Sequence, residues 1–281
     1  MGIRPLWWLL GSAGLAVLAA DLLGRQLGLG ALGGGDAGGN RVALTFDDGP
    51  SPQLPALLEV LARHEVRATF FLTGELAEHR PEALRAMQSA GHQLESHGSV
   101  HRHALSFTPW GEARQLGWHP EPGRKERLYR PPWGGHSPFT RLLARRAGVK
   151  VALWNAESRD WLARDGATLA RELLPTLRGG AVILLHDGPD AERSARTQAL
   201  LEVLLPALRE RGLDAVTLHE LEPRPIGWAV GWGRLRGMWS RNPETRRMNL
   251  VKREGRPDRY GQWRPSRLED EQTHPETRRS I

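Results

Sequence analysis

A chain of 281 residues without a cysteine has room for one large domain with appendages. It can hold no disulfide framework, no thiolate metal site and no cysteine nucleophile, so any metal must be carried by His, Asp or Glu. The formal charge of +7 suits an anionic membrane, an acidic wall polymer or a nucleic acid, but the excess sits mostly in the tail after Glu222. The charge therefore describes the tail and not a catalytic centre, and no nucleic-acid partner is expected.

Arg4 precedes an apolar run from Leu6 to Leu23 broken only by Asp21, about the minimum of ~18 residues for a helix that crosses a bilayer. Residues 1–24 read as a signal anchor or signal peptide, with the anchor preferred. The membrane is then a partner, and the rest of the chain lies on the extracytoplasmic side. Trp7 and Trp8 stand where an interfacial belt would place them. If the segment is cleaved, Ala31-Leu32-Gly33 or Gly35-Asp36-Ala37 supplies the small residues. The glycine-rich stretch 25–40 reads as a flexible linker.

From Arg41 onward short β-branched or aromatic runs alternate with helical patterns, the signature of βα units around a parallel sheet. Strands are expected at 42–46, 68–72, 92–96, 127–129, 150–154, 181–185 and 214–217, about seven in all. Helices are expected over 53–63, 81–90, 138–147, 168–177 and 195–211. Pro, Gly and Trp within 108–124 predict only a short or irregular helix there. The catalytic domain is bounded at 41–222. Residues 223–281, rich in Arg, Gly, Pro and Trp without a period, read as a poorly ordered basic tail.

Asp47-Asp48-Gly49-Pro50 closes the first strand, placing adjacent carboxylates at the C-terminal mouth of a parallel sheet. Neighbouring carboxylates repel unless a cation lies between them or they divide labour, one ligating metal and one acting as base. Alone, the segment is equally a helix cap followed by a turn. His97 and His101 follow the third strand, and a four-residue spacing turns both rings to one side, as a shared metal requires. With Asp48 they make two nitrogens and one oxygen, with a position open for water, which is a catalytic and not a structural arrangement. His103 is out of step and reads as an outer or exposed residue. Arg130, in a segment stiffened by Pro131 and Pro132, reads either as a bidentate guanidinium that holds Asp47 or as a solvated arginine on an ordinary surface turn. Asp160-Trp161 and Leu184-Leu185-His186 follow later strands and converge on the same rim.

These residues, between Arg41 and Leu221, resemble the polysaccharide deacetylases of carbohydrate esterase family four. Thr45 to Pro50, His97 to His101, Arg130 to Gly134, Asp160-Trp161 and Leu184 to His186 are similar to that family's five motifs, in order. The resemblance implies a distorted (β/α) barrel with fewer than eight βα units, and a divalent metal, Zn2+ or alternatively Co2+, on Asp48, His97 and His101. It further implies Asp47 as general base oriented by Arg130, and His186 as the acid tuned by Asp160. The backbone N–H of Trp133 would act as an oxyanion donor, and Trp161 with Leu184 would wall an acetyl pocket. Two positions depart from the pattern: Gly98 stands where Ser or Thr is usual, and Glu157 where an acid one carbon shorter is usual. The expected activity is hydrolysis of N-acetyl groups on a polysaccharide such as peptidoglycan or a chitin-like glycan. The competing readings are a hydrolase of small amides or cyclic ureides and a catalytically idle wall-binding module.

Overall fold

The computed structural model describes residues 4–227. In chain order these hold α1 (Arg4–Ala20), β1 (Arg41–Gly49), α2 (Leu54–Arg63), β2 (Thr69–Leu72), α3 (Gly74–Ala77), α4 (Pro81–Ser89), β3 (Gln93–Ser96) and α5 (Pro109–Gly117). They continue with β4 (Arg127–Tyr129), α6 (Thr140–Arg146), β5 (Val149–Val151), β6 (Ala156–Glu157), α7 (Gly166–Leu173), β7 (Val182–His186), α8 (Ala191–Glu210), β8 (Asp214–Val216) and α9 (Leu218–Leu221). Every strand pair is parallel, in the order β5-β4-β3-β2-β1-β7-β6, with β8 beside the start of β1. The added strand beyond the expected seven is β6, too short to leave a pattern in the sequence.

Successive side chains of a strand point to opposite faces, and β1 uses both. Val42, Leu44 and Phe46 pack outward against the helices, together with Leu57 and Leu61 of α2 and Leu200, Leu201, Leu204 and Leu208 of α8. Ala43 instead joins Phe71, Leu128, Val182 and Leu218 in a separate inner cluster. With both faces covered, the strands read as near-continuous apolar runs, which is why the parallel sheet was legible. The segment from Val149 to Glu157 pairs with β4 in its first part and with β7 in its second, so one stretch of chain curls the sheet toward closure as a distorted barrel.

The glycine-rich stretch is not a free linker. Leu27 and Ala31 are 1% and 0% exposed, Leu32 exchanges backbone hydrogen bonds with Val151 and Leu153, and Gly35 N–H donates to Gly180. Residues 31, 33 and 34 also pair with 224 and 226. The stretch is a strap along the segment that joins β5 to β7, and the folded unit extends past both expected boundaries, 41 and 222. Small residues were needed for close backbone approach, and low side-chain content was mistaken for looseness.

The expected membrane span also differs. Among the described residues no helix is long and apolar enough to cross a membrane. The α-helix stops at Ala20, and Asp21–Gln26 continues as a π-helical turn. Asp21 pairs with Arg25 at 2.5 Å. A Cβ on Gly24 would lie 2.5 Å from Cγ of His136, so this turn is docked on the folded body. Beyond residue 227 the basic tail, with its four tryptophans, lies outside the described residues.

Candidate active site

The C-terminal ends of β1, β3, β4 and β7 bring the expected residues to one rim. Asp48 has φ of 73°, a left-handed conformation that costs a non-glycine residue about 1 kcal/mol or more and persists where surrounding structure enforces it. Its Oδ1 lies 3.4 Å from His97 Nε2 and 3.1 Å from His101 Nε2. All three side chains are buried. Burial by itself would raise the Asp48 carboxyl, but the imidazoles of His101 and His97 hold it well below the ordinary carboxylate range.

These separations fit a shared ion: ligands at about 2.0–2.2 Å in tetrahedral directions lie roughly 3.3 Å apart. Two nitrogens and one carboxylate oxygen form an open ligand set for a divalent metal. Neither His97 nor His101 finds a partner for Nδ1 among the described residues. Packing holds His101 instead, its ring 4.3 Å from that of Trp133. His103 lies behind Trp133, ring centroids 6.3 Å apart, and accepts from Leu105 N–H. It is not part of the Asp48–His97–His101 cluster.

Asp47, next along β1, sits 4.0 Å from His97 through Oδ2 and takes Nη1 of Arg130 on Oδ1 at 2.7 Å. Arg130 is fully buried, with Nη1 also donating to Thr45 and Nη2 to the Leu153 carbonyl. Its guanidinium lies 4.0 Å over the Phe71 ring. The expected bidentate clamp on Asp47 is a single contact: Nη1 is shared between Asp47 and Thr45, Nη2 goes to the Leu153 carbonyl, and Nε finds no hydrogen-bond partner among the described residues. Burial pulls the guanidinium below its ordinary value, with Asp47 opposing.

Across the rim, His186 Nδ1 meets Asp160 Oδ1 at 2.7 Å, while Asp160 Oδ2 accepts from His186 N–H and the Thr197 hydroxyl. Burial lowers the imidazole, but Asp160 more than offsets this and raises His186 above its usual value. The Trp161 ring meets His186 edge-on at 5.5 Å, and Leu184 is buried two residues before His186. Trp133 is also left-handed, with φ of 56°, and remains partly exposed beside His101.

Three features were missed in the sequence. Gly98 has φ of +97°, and a Cβ there would lie 2.3 Å from Gln115 Nε2. Gln115 of α5 accepts from Ser99 Oγ at 2.6 Å and Val100 N–H at 3.2 Å and donates to the Val100 carbonyl. The departure at Gly98 is thus compensated from α5, so the His97–His101 loop is braced by a side chain 15 or more residues away. Ser51 donates to Asp187 through both hydroxyl and N–H, tying the turn after Asp48 to the end of β7. Arg193, Arg196 and Thr197 lie on one face of α8: Arg193 reaches Asp48, while Arg196 and Thr197 hold Asp160. Their i, i+3, i+4 spacing just after the last motif was the available signal.

A family description, polysaccharide deacetylase, matches residues 34–152. A chitooligosaccharide deacetylase of Bradyrhizobium sp. (strain ANU 289) is 35% identical over 205 residues, covering 66% of this chain and 93% of that one. A peptidoglycan-N-acetylglucosamine deacetylase of Bacillus cereus is 30% identical over 191 residues, covering 64% and 87%. The crystal structure of a peptidoglycan N-acetylglucosamine deacetylase bound to an N-hydroxybenzamide superposes with a TM-score of 0.64 at 27% identity, covering 69% of this chain and 93% of that one. The chain belongs to the polysaccharide deacetylase family.

Proposed function

We propose that this chain hydrolyses the N-acetyl groups of N-acetylglucosamine units in an extracytoplasmic polysaccharide, with peptidoglycan favoured over chitin-like glycans. The observation that carries the reading is the flanking of one Asp-His-His cluster by two carboxylate pairs, Asp47–Arg130 and Asp160–His186. Amide hydrolysis needs one group to take a proton from water and another to give one to the departing amine. A divalent ion on Asp48, His97 and His101, with zinc preferred and cobalt the alternative, supplies Lewis acidity to the acetyl carbonyl and to water. Asp47, facing the cluster, accepts the proton of the attacking water. Arg130 donates to its other oxygen and fixes its direction. His186, its Nδ1 turned to Asp160, offers Nε2–H to the nitrogen as the C–N bond breaks, leaving acetate and a free amine. The backbone N–H of Trp133 is assigned to the oxyanion, a contact of the kind worth about 3–4 kcal/mol, and Trp161 with Leu184 to the acetyl methyl.

Peptidoglycan is favoured by an apolar N-terminal helix with exposed Leu15 and Leu18, which suits an exported protein held at the membrane beside the wall. Both candidate cleavage positions fall within the strap, so retention of the helix is part of the proposal. The mature N-terminus, read by mass spectrometry from the exported protein, is expected upstream of Leu27, and one at or beyond Gly33 would sink it. For the activity, purified protein with added zinc is incubated in parallel with peptidoglycan, chitooligosaccharides and small amides. Acetate from the glycans, peptidoglycan fastest, is expected. Glycan binding without acetate under any divalent metal would leave a wall-binding module instead.

A further inference from the structure

We propose that Arg193 is a positioning residue for Asp48: it occupies the carboxylate oxygen that turns away from the two histidines and so limits Asp48 to one metal-facing oxygen. The inference rests on reading Asp48, His97 and His101 as ligands. Asp48 Oδ1 faces both imidazoles, while Oδ2 lies 3.7 Å from Arg193 Nη1. Asp47 divides its oxygens in the same way, Oδ1 to Arg130 and Oδ2 toward His97. Each of the adjacent aspartates therefore has an arginine of its own.

Arg193 is well placed for this task. It stands in the first turn of α8, where its N–H donates to the capping Asp190 at 2.8 Å, and its side chain is 19% exposed. One turn further, Arg196 donates to the Asp160 carbonyl and Thr197 to its carboxylate. The first two turns of one helix thus hold both the aspartate of the cluster and the aspartate behind His186. A guanidinium is a donor only, and at Oδ2 it opposes two things: rotation of the carboxylate to present both oxygens to a cation, and full expression of its negative charge. Both would strengthen the grip on an ion, and the first would fill the position that a catalytic site keeps open.

The sign of the effect separates this role from a merely structural one. In Arg193→Met, zinc affinity measured by chelator competition is expected to tighten about tenfold, opposite in sign to the loss that usually follows an outer-shell substitution. The visible absorption of the cobalt-loaded protein weakens as coordination rises, and kcat for acetate release falls about tenfold with KM unchanged. Arg193→Lys, which keeps the charge, restores the parent zinc affinity. Weaker or unchanged zinc affinity in a folded Arg193→Met protein would overturn the proposal, as would a lysine variant that behaves like methionine. The metal titration needs no glycan, so it decides the role of Arg193 whatever the substrate proves to be. A parent protein that binds no zinc would overturn this proposal and the ligand assignment together.

Discussion

Asp47 with Arg130 and Asp160 with His186 each pair a buried carboxylate with a basic side chain at 2.7 Å, and they differ in which member is presented to the cluster. In the first the carboxylate faces His97 and the cation stands behind it in the barrel, stacked on Phe71. In the second the carboxylate is wholly buried, held by the Thr197 hydroxyl and the His186 backbone N–H while Arg196 holds the Asp160 main-chain carbonyl, and the imidazole is the partly exposed member. Neither pair owes its value to net attraction, since burying two charges costs about what their contact returns. The orientation decides the chemistry: an aspartate backed by a pure donor is left to accept a proton, and an imidazole backed by an acceptor is left holding one.

The largest expected effect comes from breaking the first pair. Arg130→Met leaves Asp47 buried without its partner, which costs about 3–5 kcal/mol and removes the group that orients the base. Denaturant unfolding should register the loss of stability, and acetate release should fall below detection even where the protein is folded. Unchanged stability would mean that the pair is solvated and the barrel interior is wetter than described. Breaking the second pair is milder. Asp160→Asn removes the charge that raises His186, and since His186 must be protonated to act as the acid, the falling alkaline limb of the kcat–pH profile moves to lower pH. The loss at the optimum is about ten- to hundredfold, less than the 10²–10⁴ typical of removing an acid outright. A limb that stays in place would show that His186 is not the group it reports.

Much of this rim was legible because its parts lie at strand ends, where motif and topology coincide. The short β-branched and aromatic run 42–46 located β1, and Asp47 and Asp48 followed from it. What escaped notice depends on contacts across the chain. Gln115 braces the His97–His101 loop from a helix weakened in sequence by Pro109 and Gly111, and nothing local marks it. β6 is two residues long, shorter than any period that could reveal it. The strap was misread because glycine serves close packing as readily as freedom, and only partners such as Gly180 and Ile226, far away in sequence, tell the two apart. Arg193 was hidden by its place after the last motif, within a helix whose buried leucines gave the dominant pattern.

The central claim is that two adjacent aspartates divide the work, Asp48 for the metal and Asp47 for the proton. It is tested most directly in Asp47→Asn by measuring zinc affinity and acetate release on one preparation. The division predicts zinc affinity within a few-fold of the parent, with acetate release reduced by at least about 10³, since an essential proton acceptor at the reacting water is gone. Acetate release close to that of the parent, or loss of zinc together with activity, would contradict it.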